Sequence, residues 1–480
     1  LAFLHARKKE EADMKMLMKN IKIVLVIFII TSIALLAGLI LQQYRSKHEL
    51  NTAAGENKES LRTRYSQAGM ILDQDGLILA HSVSGERQYA EDPLVAISVL
   101  HIVGDYTHNI ENTIEGSYQG VLLGNDRNLF RQAILDLCGK GLYGDDITLT
   151  ISGELSKHAY QLLDGRKGSI VVTNYKTGEI IVAASSPSVA PDSVIQYKDI
   201  PDTALFNRAF QGAYAPGSTF KLVTAAAYMH SASYDPLLSV ECDGHSTIDP
   251  FAAGEKGSGH GLTVMKDAIA KSCNVFFGLA GVMTGREQLL KTAEDIGYGS
   301  YIPVDSLFAS GGKIEIPDNQ STLSWIAIGQ PVSDSVLFTS PLHMAMLAGA
   351  IANNGSMVSP HIVKYITTPI GEKYAIPDID VFTNIITPEE AGAMESMMIA
   401  TTEYGTGVYA AVQGYTIASK TGTVQVEGHE NNALCIAYVT DRSTPYAISV
   451  VVEEGGAGGD TAAPLAGDML SQVIAKYAAS

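Results

Sequence analysis

Basic residues are scarce in this chain. Its 480 residues hold 33 lysines and arginines against 51 aspartates and glutamates, a net charge of −18. So acidic a chain is a poor binder of a phosphate backbone, which argues against nucleic acid as a partner. Cysteine is sparse as well, at Cys138, Cys242, Cys273 and Cys435. No two form a Cys-x-x-Cys pair, and their wide spacing does not match a zinc site. In an exported chain they allow two disulfides, but a chain this long needs no such staples, and four thiols are an equal alternative. Charged residues are 18% and hydrophobic ones 46%, which excludes a largely disordered chain and supplies a large core. Internal repeats and low-complexity tracts are missing. Gly455–Gly459 is not followed by Gly-Lys-Ser/Thr, so it is no phosphate loop and reads as a turn.

Long apolar runs are missing too, with one exception. Ile23 to Leu41 carries no charge and almost no polarity. At ~1.5 Å per residue such a segment spans about 29 Å, the thickness of a bilayer core. Arg7, Lys8, Lys9, Lys15, Lys19 and Lys22 precede it, and the nearest basic residues after it are Arg45 and Lys47. That bias predicts a cytoplasmic N-terminus, a single crossing, and an extracellular remainder. Gln42, Gln43, Tyr44 and Arg45 follow where a signal-peptide cleavage site would need small residues, so an uncleaved anchor is expected.

Beyond the anchor, residues 51–64 are polar and read as a linker or helix. Met70 to His81 reads as strand, Asp75-Gly76 turn, strand. From residue 147 the pattern sharpens. Ile147–Ile151 reads as a strand and Gly153–Leu163 as a helix. Ser169–Thr173 and Glu179–Ala184 read as a hairpin. Apolar helical stretches follow at Thr219–His230, Thr263–Gly281, Pro341–Asn353 and Pro388–Ala400. Strands are expected at Tyr415–Ser419, Ala433–Val439 and Ala447–Glu453, with a closing helix at Ala462–Tyr477. Strands, then helices, then strands again predict an α+β domain whose sheet joins distant segments.

Three short motifs carry chemistry. In Pro216-Gly-Ser218-Thr-Phe-Lys221, proline and glycine break the chain and Ser218 opens an apolar helix. Lys221 lies three residues on, on the same face as the Ser218 hydroxyl. A lysine held there out of water can act as its base. Ser-x-x-Lys alone is weak, but Phe220, Leu222, Val223 and Ala225–Ala227 predict that this helix is buried, and a lysine in a buried helix needs a reason. In Ser272-Cys-Asn274 the serine can relay a proton and the asparagine can bind a substrate amide. In Lys420-Thr-Gly422-Thr423, read as ending a strand, glycine admits a substrate backbone and the lysine and hydroxyls suit a carboxylate. A second Lys-Thr-Gly, at Lys176–Gly178, sits in a hairpin turn where glycine is expected anyway.

The order and spacing of the motifs make a joint signal. They match the set that marks penicillin-binding proteins and class A β-lactamases, with Cys273 where the lactamases carry aspartate. Met70 to Ser82, Thr148-Leu-Thr-Ile151, Gly168 to Pro187, Asn207-Arg-Ala209, Gly329-Gln-Pro331, Thr339 to Ala345 and Ala352 to Gly355 also look like family segments. From about residue 66 onward the chain resembles short class B penicillin-binding proteins of the PbpA-like branch. It departs from the family at Ala68-Gly69, where Arg-Gly is usual, at Pro331, where glycine is common, and at Leu434-Cys435, where aromatics often stand.

The resemblance implies a cytoplasmic tail over 1–22, an anchor over 23–42, a non-catalytic pedestal domain over 43–150, and a transpeptidase domain over 151–480. The last would have a central antiparallel sheet flanked by helices, plus an all-helical lobe. It implies a peptidoglycan D,D-transpeptidase that cross-links stem peptides ending in D-Ala-D-Ala. Ser218 would be the nucleophile, Lys221 its base and Ser272 the proton relay. Asn274 would hold the peptide amide, and Lys420, Thr421, Gly422 and Thr423 the carboxylate end. The backbone N–H groups of Ser218 and Thr423 would form the oxyanion hole. β-Lactams would acylate Ser218. No metal or cofactor is implied, and a membrane-embedded glycan polymerase is the expected partner. The rivals are a D,D-carboxypeptidase, a β-lactam-hydrolysing or sensing protein, and a non-catalytic scaffold. A lactamase needs a water-activating glutamate, and Glu315, four residues before Asn319, is the candidate, read here as loop chemistry around Pro317. Cys242, His245 and His260 make an incomplete metal set.

Overall fold

The computed structural model describes residues 14, 16, 18–34, 64–196, 198–245, 259–332 and 334–478. They belong to two compact units, residues 1–63 and residues 64–480. In the first, residues 18–34 are helical. The expected anchor runs on to residue 42, so its last eight residues lie outside the described ones. Among the described residues, no helix is long and apolar enough to cross a membrane.

The second unit is organised by a five-stranded antiparallel sheet. Its order is Ile417–Val424, Asn432–Val439, Tyr446–Val452, Gly168–Asn174, Ile180–Ser186. The sheet thus joins segments more than two hundred residues apart, as the strand–helix–strand pattern predicts. These strands read as near-continuous apolar runs because both faces are covered. Side chains alternate across a strand, so Ile170, Val172, Cys435 and Ala437 enter one core while Val171, Leu434, Ile436 and Tyr438 enter the other. The closing helix Ala462–Tyr477 and the helix Gly153–Leu163 cover the first face, and the helix Pro341–Ala352 covers the second. Ser340 caps that last helix by accepting from His343 N–H, with Pro341 in the first turn.

A second sheet has six strands: Lys373–Tyr374, Val363–Thr367, Asp146–Leu149, Ile71–Leu72, Ile78–Val83, Glu86–Tyr89. The Asp75-Gly76 hairpin is where the sequence predicts it. The sheet spans residue 150, because its outer two strands come from far along the chain. The four helices Lys221–Met229, Asn274–Thr284, Arg286–Ile296 and Gln320–Ala327 pack as a lobe. This lobe is not all-helical. The hairpin Ser239–Cys242 with Gly261–Val264 packs on it, so residues 263 and 264 are strand rather than the helix expected there.

Arg87 ties the chain at Gly69, beside the Ala68 departure, to the helix Ile114–Ser117. Its guanidinium donates to Gly69 O at 2.8 Å and to the Glu115 carboxylate at 2.8 Å. Both members of the pair are fully buried. Burial pushes the Glu115 carboxyl up, and Arg87 offsets this only in part. Arg87→Ala would leave that carboxyl buried without its cation, so we expect a loss of about 3–5 kcal/mol in chemical denaturation. A loss below about 1 kcal/mol, the scale of an exposed pair, would overturn this account.

His101 lies in the last turn of the helix Pro93–Val103 and donates to Ala204 O at 2.8 Å. Burial holds its pKa down, to about 4. The unfolded chain therefore takes up a proton, near pH 6.5, that the native state refuses. Stability from this group is complete above pH 6.5 and falls as pH drops toward 4, by on the order of 3 kcal/mol at the limit. Burial also lowers His343, so its contribution has the same sign. Melting temperature should fall between pH 6.5 and 5, and His101→Gln should flatten the slope. A flat wild-type profile in that window would contradict the assignment.

Candidate active site

The first motif begins with a forced backbone. Gly217 has φ +53°, and its N–H donates to Gly329 O at 3.0 Å. Gly329 has φ +85°, and a Cβ there would meet Gly217 O at 1.8 Å, so a side chain is excluded twice over. Ser218 lies in a single 3-10 turn, Gly217–Phe220, which runs into the helix Lys221–Met229. The expected helix is present, but Ser218 stands in the tighter turn before it. The whole helix is buried, as predicted, and Lys221 with it.

The buried lysine has its reason. Lys221 Nζ donates to Ser272 O at 2.5 Å, Asn274 Oδ1 at 2.6 Å and Ser272 Oγ at 3.2 Å. Ser272 and Asn274 reach it from a break between the helices Met265–Ala270 and Asn274–Thr284. The break is built on strain. Ser272 has φ +63°, a left-handed conformation that is costly for a side-chain-bearing residue and typical of functional positions. Cys273 caps the second helix, its Sγ accepting from Phe276 N–H at 3.4 Å.

The third motif lies inside a strand, not at its end. Strand Ile417–Val424 continues through Lys420, Thr421, Gly422 and Thr423, because every residue to Val424 keeps its partner on Asn432–Val439. It is the edge strand of its sheet, as expected. One face of it packs against the first motif: a Cβ on Gly422 would meet Pro216 O at 3.0 Å and Thr219 Cγ2 at 3.3 Å. Lys420 is fully buried, and its Nζ donates to Ser272 Oγ at 3.0 Å and Thr421 O at 3.0 Å. Two lysines, from motifs 199 residues apart, thus share one serine hydroxyl. Across the strand, burial pushes the Cys435 thiol up to about 12, against the pull of Lys420, so it is an inert core group.

Lys176, Glu315 and Asn319 find their partners elsewhere. Lys176 donates to Arg442 O from its hairpin turn. Glu315 is exposed and pairs with Lys313 at 2.6 Å, and Asn319 caps the helix Gln320–Ala327. Of the metal-type residues, His245 is exposed in a turn, and Cys273 takes its place beside Cys242 and His260. Their two sulfurs and one ring nitrogen lie within 4.8 Å of one another, with Cys242 Sγ 3.6 Å from His260 Nδ1. The sulfur–imidazole donor set is of the kind that can hold a thiophilic metal ion.

Sequence reasoning missed the loop behind the third motif. Gly458 N–H donates to Thr423 Oγ1 at 3.0 Å, and a Cβ on Gly458 would meet Gly422 O at 2.1 Å. The glycine run at 455–459 is a turn, as read, but one that backs the motif. Thr406 was missed too. The signal available was the pair of glycines flanking it.

Residues 168–471 match the family model described as the penicillin binding protein transpeptidase domain. The chain belongs to this family. Among curated relatives, the peptidoglycan D,D-transpeptidase PbpA of Mycolicibacterium smegmatis is 28% identical, over 85% of this chain and 89% of its own length. The peptidoglycan D,D-transpeptidase MrdA of Acinetobacter baumannii is 31% identical, over 66% of this chain and 52% of its own. Among solved structures, penicillin-binding protein A of M. tuberculosis, as a penicillin G acyl-enzyme, superposes with a TM-score of 0.75 at 25% identity. That match covers 86% of this chain and 100% of the other. This penicillin-binding protein thus has its fold paralleled in a structure captured as a penicillin G acyl-enzyme.

Proposed function

We propose that this chain is a peptidoglycan D,D-transpeptidase acting through a Ser218 acyl-enzyme. The observation that carries the reading is the hydrogen-bonded centre in which Lys221, Ser272, Asn274 and Lys420 meet. Ser218 Oγ attacks the carbonyl between the two terminal D-alanines, and Lys221, in its neutral form, takes the hydroxyl proton. A lysine out of water beside a second cation is disposed to that form. The C–N bond breaks, and Ser272 passes a proton to the departing D-alanine nitrogen. The backbone N–H groups of Ser218 and Thr423 hold the oxyanion, Asn274 the donor peptide amide, and Lys420, Thr421 and Thr423 the terminal carboxylate. With its oxygen held by Lys221, the Asn274 amide presents its N–H donors to the peptide. An amine of a neighbouring strand then attacks the acyl-enzyme, and Ser218 is released. β-Lactams acylate the same serine.

We further propose that the apolar run 23–42 anchors the chain with residues 1–22 cytoplasmic and the catalytic part outside, partnered by a membrane-embedded glycan polymerase. Val24, Leu25 and Phe28 are exposed on their helix, as lipid-facing side chains would be. Loss of function on exchange for an unrelated anchor would support contacts through this segment, and unchanged function would count against them. The catalytic reading is tested with a stem pentapeptide ending in D-Ala-D-Ala and an amine acceptor. One D-alanine released per cross-link formed is expected. D-alanine released with hydrolysis alone would favour a carboxypeptidase, and no release would sink both.

A further inference from the structure

Thr406 lies outside the three motifs and touches two of them. Its N–H donates to Ala270 O at 3.0 Å, at the end of the helix that leads to Ser272. Its hydroxyl lies 2.5 Å from Thr421 Oγ1 in the third motif. The flanking glycines make this bridge rigid. A Cβ on Gly405 would meet Ala270 O at 2.0 Å, and one on Gly407 would meet Ser419 Oγ at 2.3 Å. Behind it, a Cβ on Gly459 would meet Thr406 O at 2.6 Å. Backbone packed this closely on three sides cannot shift Thr406 away from Thr421.

The chemistry of the pair follows from counting protons. Each threonine hydroxyl has one proton to donate and two lone pairs. The Thr406 hydroxyl bonds Thr421 Oγ1, and either can be the donor. With Thr406 donating, the Thr421 proton is left for another acceptor. The Thr423 hydroxyl is set the same way, since it accepts from Gly458 N–H. Both motif hydroxyls then keep a proton to donate, which suits an acceptor-only group such as a carboxylate.

We propose that Thr406 is a positioning residue for carboxylate recognition: it fixes the Thr421 hydroxyl as a donor to the terminal carboxylate of the peptide or of a β-lactam. The proposal rests on the transpeptidase reading and deepens it. The test uses the full chain in detergent and two acylating agents, a fluorescent penicillin and the methyl ester of that penicillin, which keeps the β-lactam but lacks the carboxylate. Second-order acylation rates are measured for wild type, Thr406→Val and Thr406→Ser. Thr406→Val should slow the free acid about tenfold, the scale of one hydrogen bond to a charged group, and leave the ester rate unchanged. Thr406→Ser should restore the acid rate. Equal slowing of both agents would mean that Thr406 merely supports the wall of the cleft, and no slowing of either would mean that Thr421 needs no help; each overturns the proposal. Absence of labelling in the wild type would be a different failure, taking the transpeptidase reading with it.

Discussion

Ser218→Ala should abolish covalent labelling by penicillin while leaving the melting temperature within a few degrees of wild type. The substitution removes one oxygen from a half-buried side chain in a single turn, and nothing in that turn depends on it. Its backbone is set by Gly217 and Gly329, which are untouched. Alanine is compatible with the turn and the helix beyond it. The acyl-enzyme cannot form without the nucleophile, so intact-mass spectrometry should show the loss of the one adduct seen in wild type. The residual rate should be lower by at least about 10⁴, on the scale of removing a catalytic nucleophile. An adduct of undiminished yield, on Ser272 or elsewhere, would refute the assignment.

Lys221→Met should slow acylation by about 10²–10⁴, the range set by general-base catalysis. Methionine fills similar space in a buried position but can neither take the Ser218 proton nor donate to its neighbours. The variant leaves Ser272 O and Asn274 Oδ1 without the Nζ donor that now satisfies them. Each lost partner costs about 1–3 kcal/mol. Stability and rate must therefore be read separately, with the acylation assay run well below the variant's melting temperature. If the lysine is the base, the deficit persists in folded protein. A rate within threefold of wild type would transfer the role of base to another group, with Lys420, on the same serine hydroxyl, first in line.

The elements most legible in the sequence were those with a local cause. The helices Gly153–Leu163 and Ala462–Tyr477 have the bounds that their apolar periodicity and flanking turns suggest. Thr387 and Glu390 form a reciprocal capping box at the start of the helix Pro388–Glu403, where the sequence also places a helix. Errors arose where tertiary partners decide. Lys420–Thr423 extends its strand because Ala433–Ile436 are there to pair with, which no local pattern reveals. Gly261–Val264 pairs with a hairpin partner across a long connection, so apolar residues that resemble the start of a helix are strand instead. In the candidate site, the motifs announced themselves by chemistry and spacing. Thr406 and Gly458 did not, because a threonine between glycines and a glycine in a turn acquire their roles only through what lies beside them.

The order of strands in the catalytic sheet also sets the order in which the enzyme can come into being. Gly168–Asn174 pairs with Tyr446–Val452, and the strand bearing Lys420 reaches it only through two others from the far end of the chain. A growing chain that already holds Ser218, Lys221, Ser272 and Asn274 therefore still lacks the wall against which they close. Closing so long a loop is slow, and little is gained until the last strands arrive. A nascent chain stopped before about residue 440 would thus be inert toward penicillin, and reactivity would switch on as one event, once the strand Tyr446–Val452 has emerged to join the two parts of the sheet.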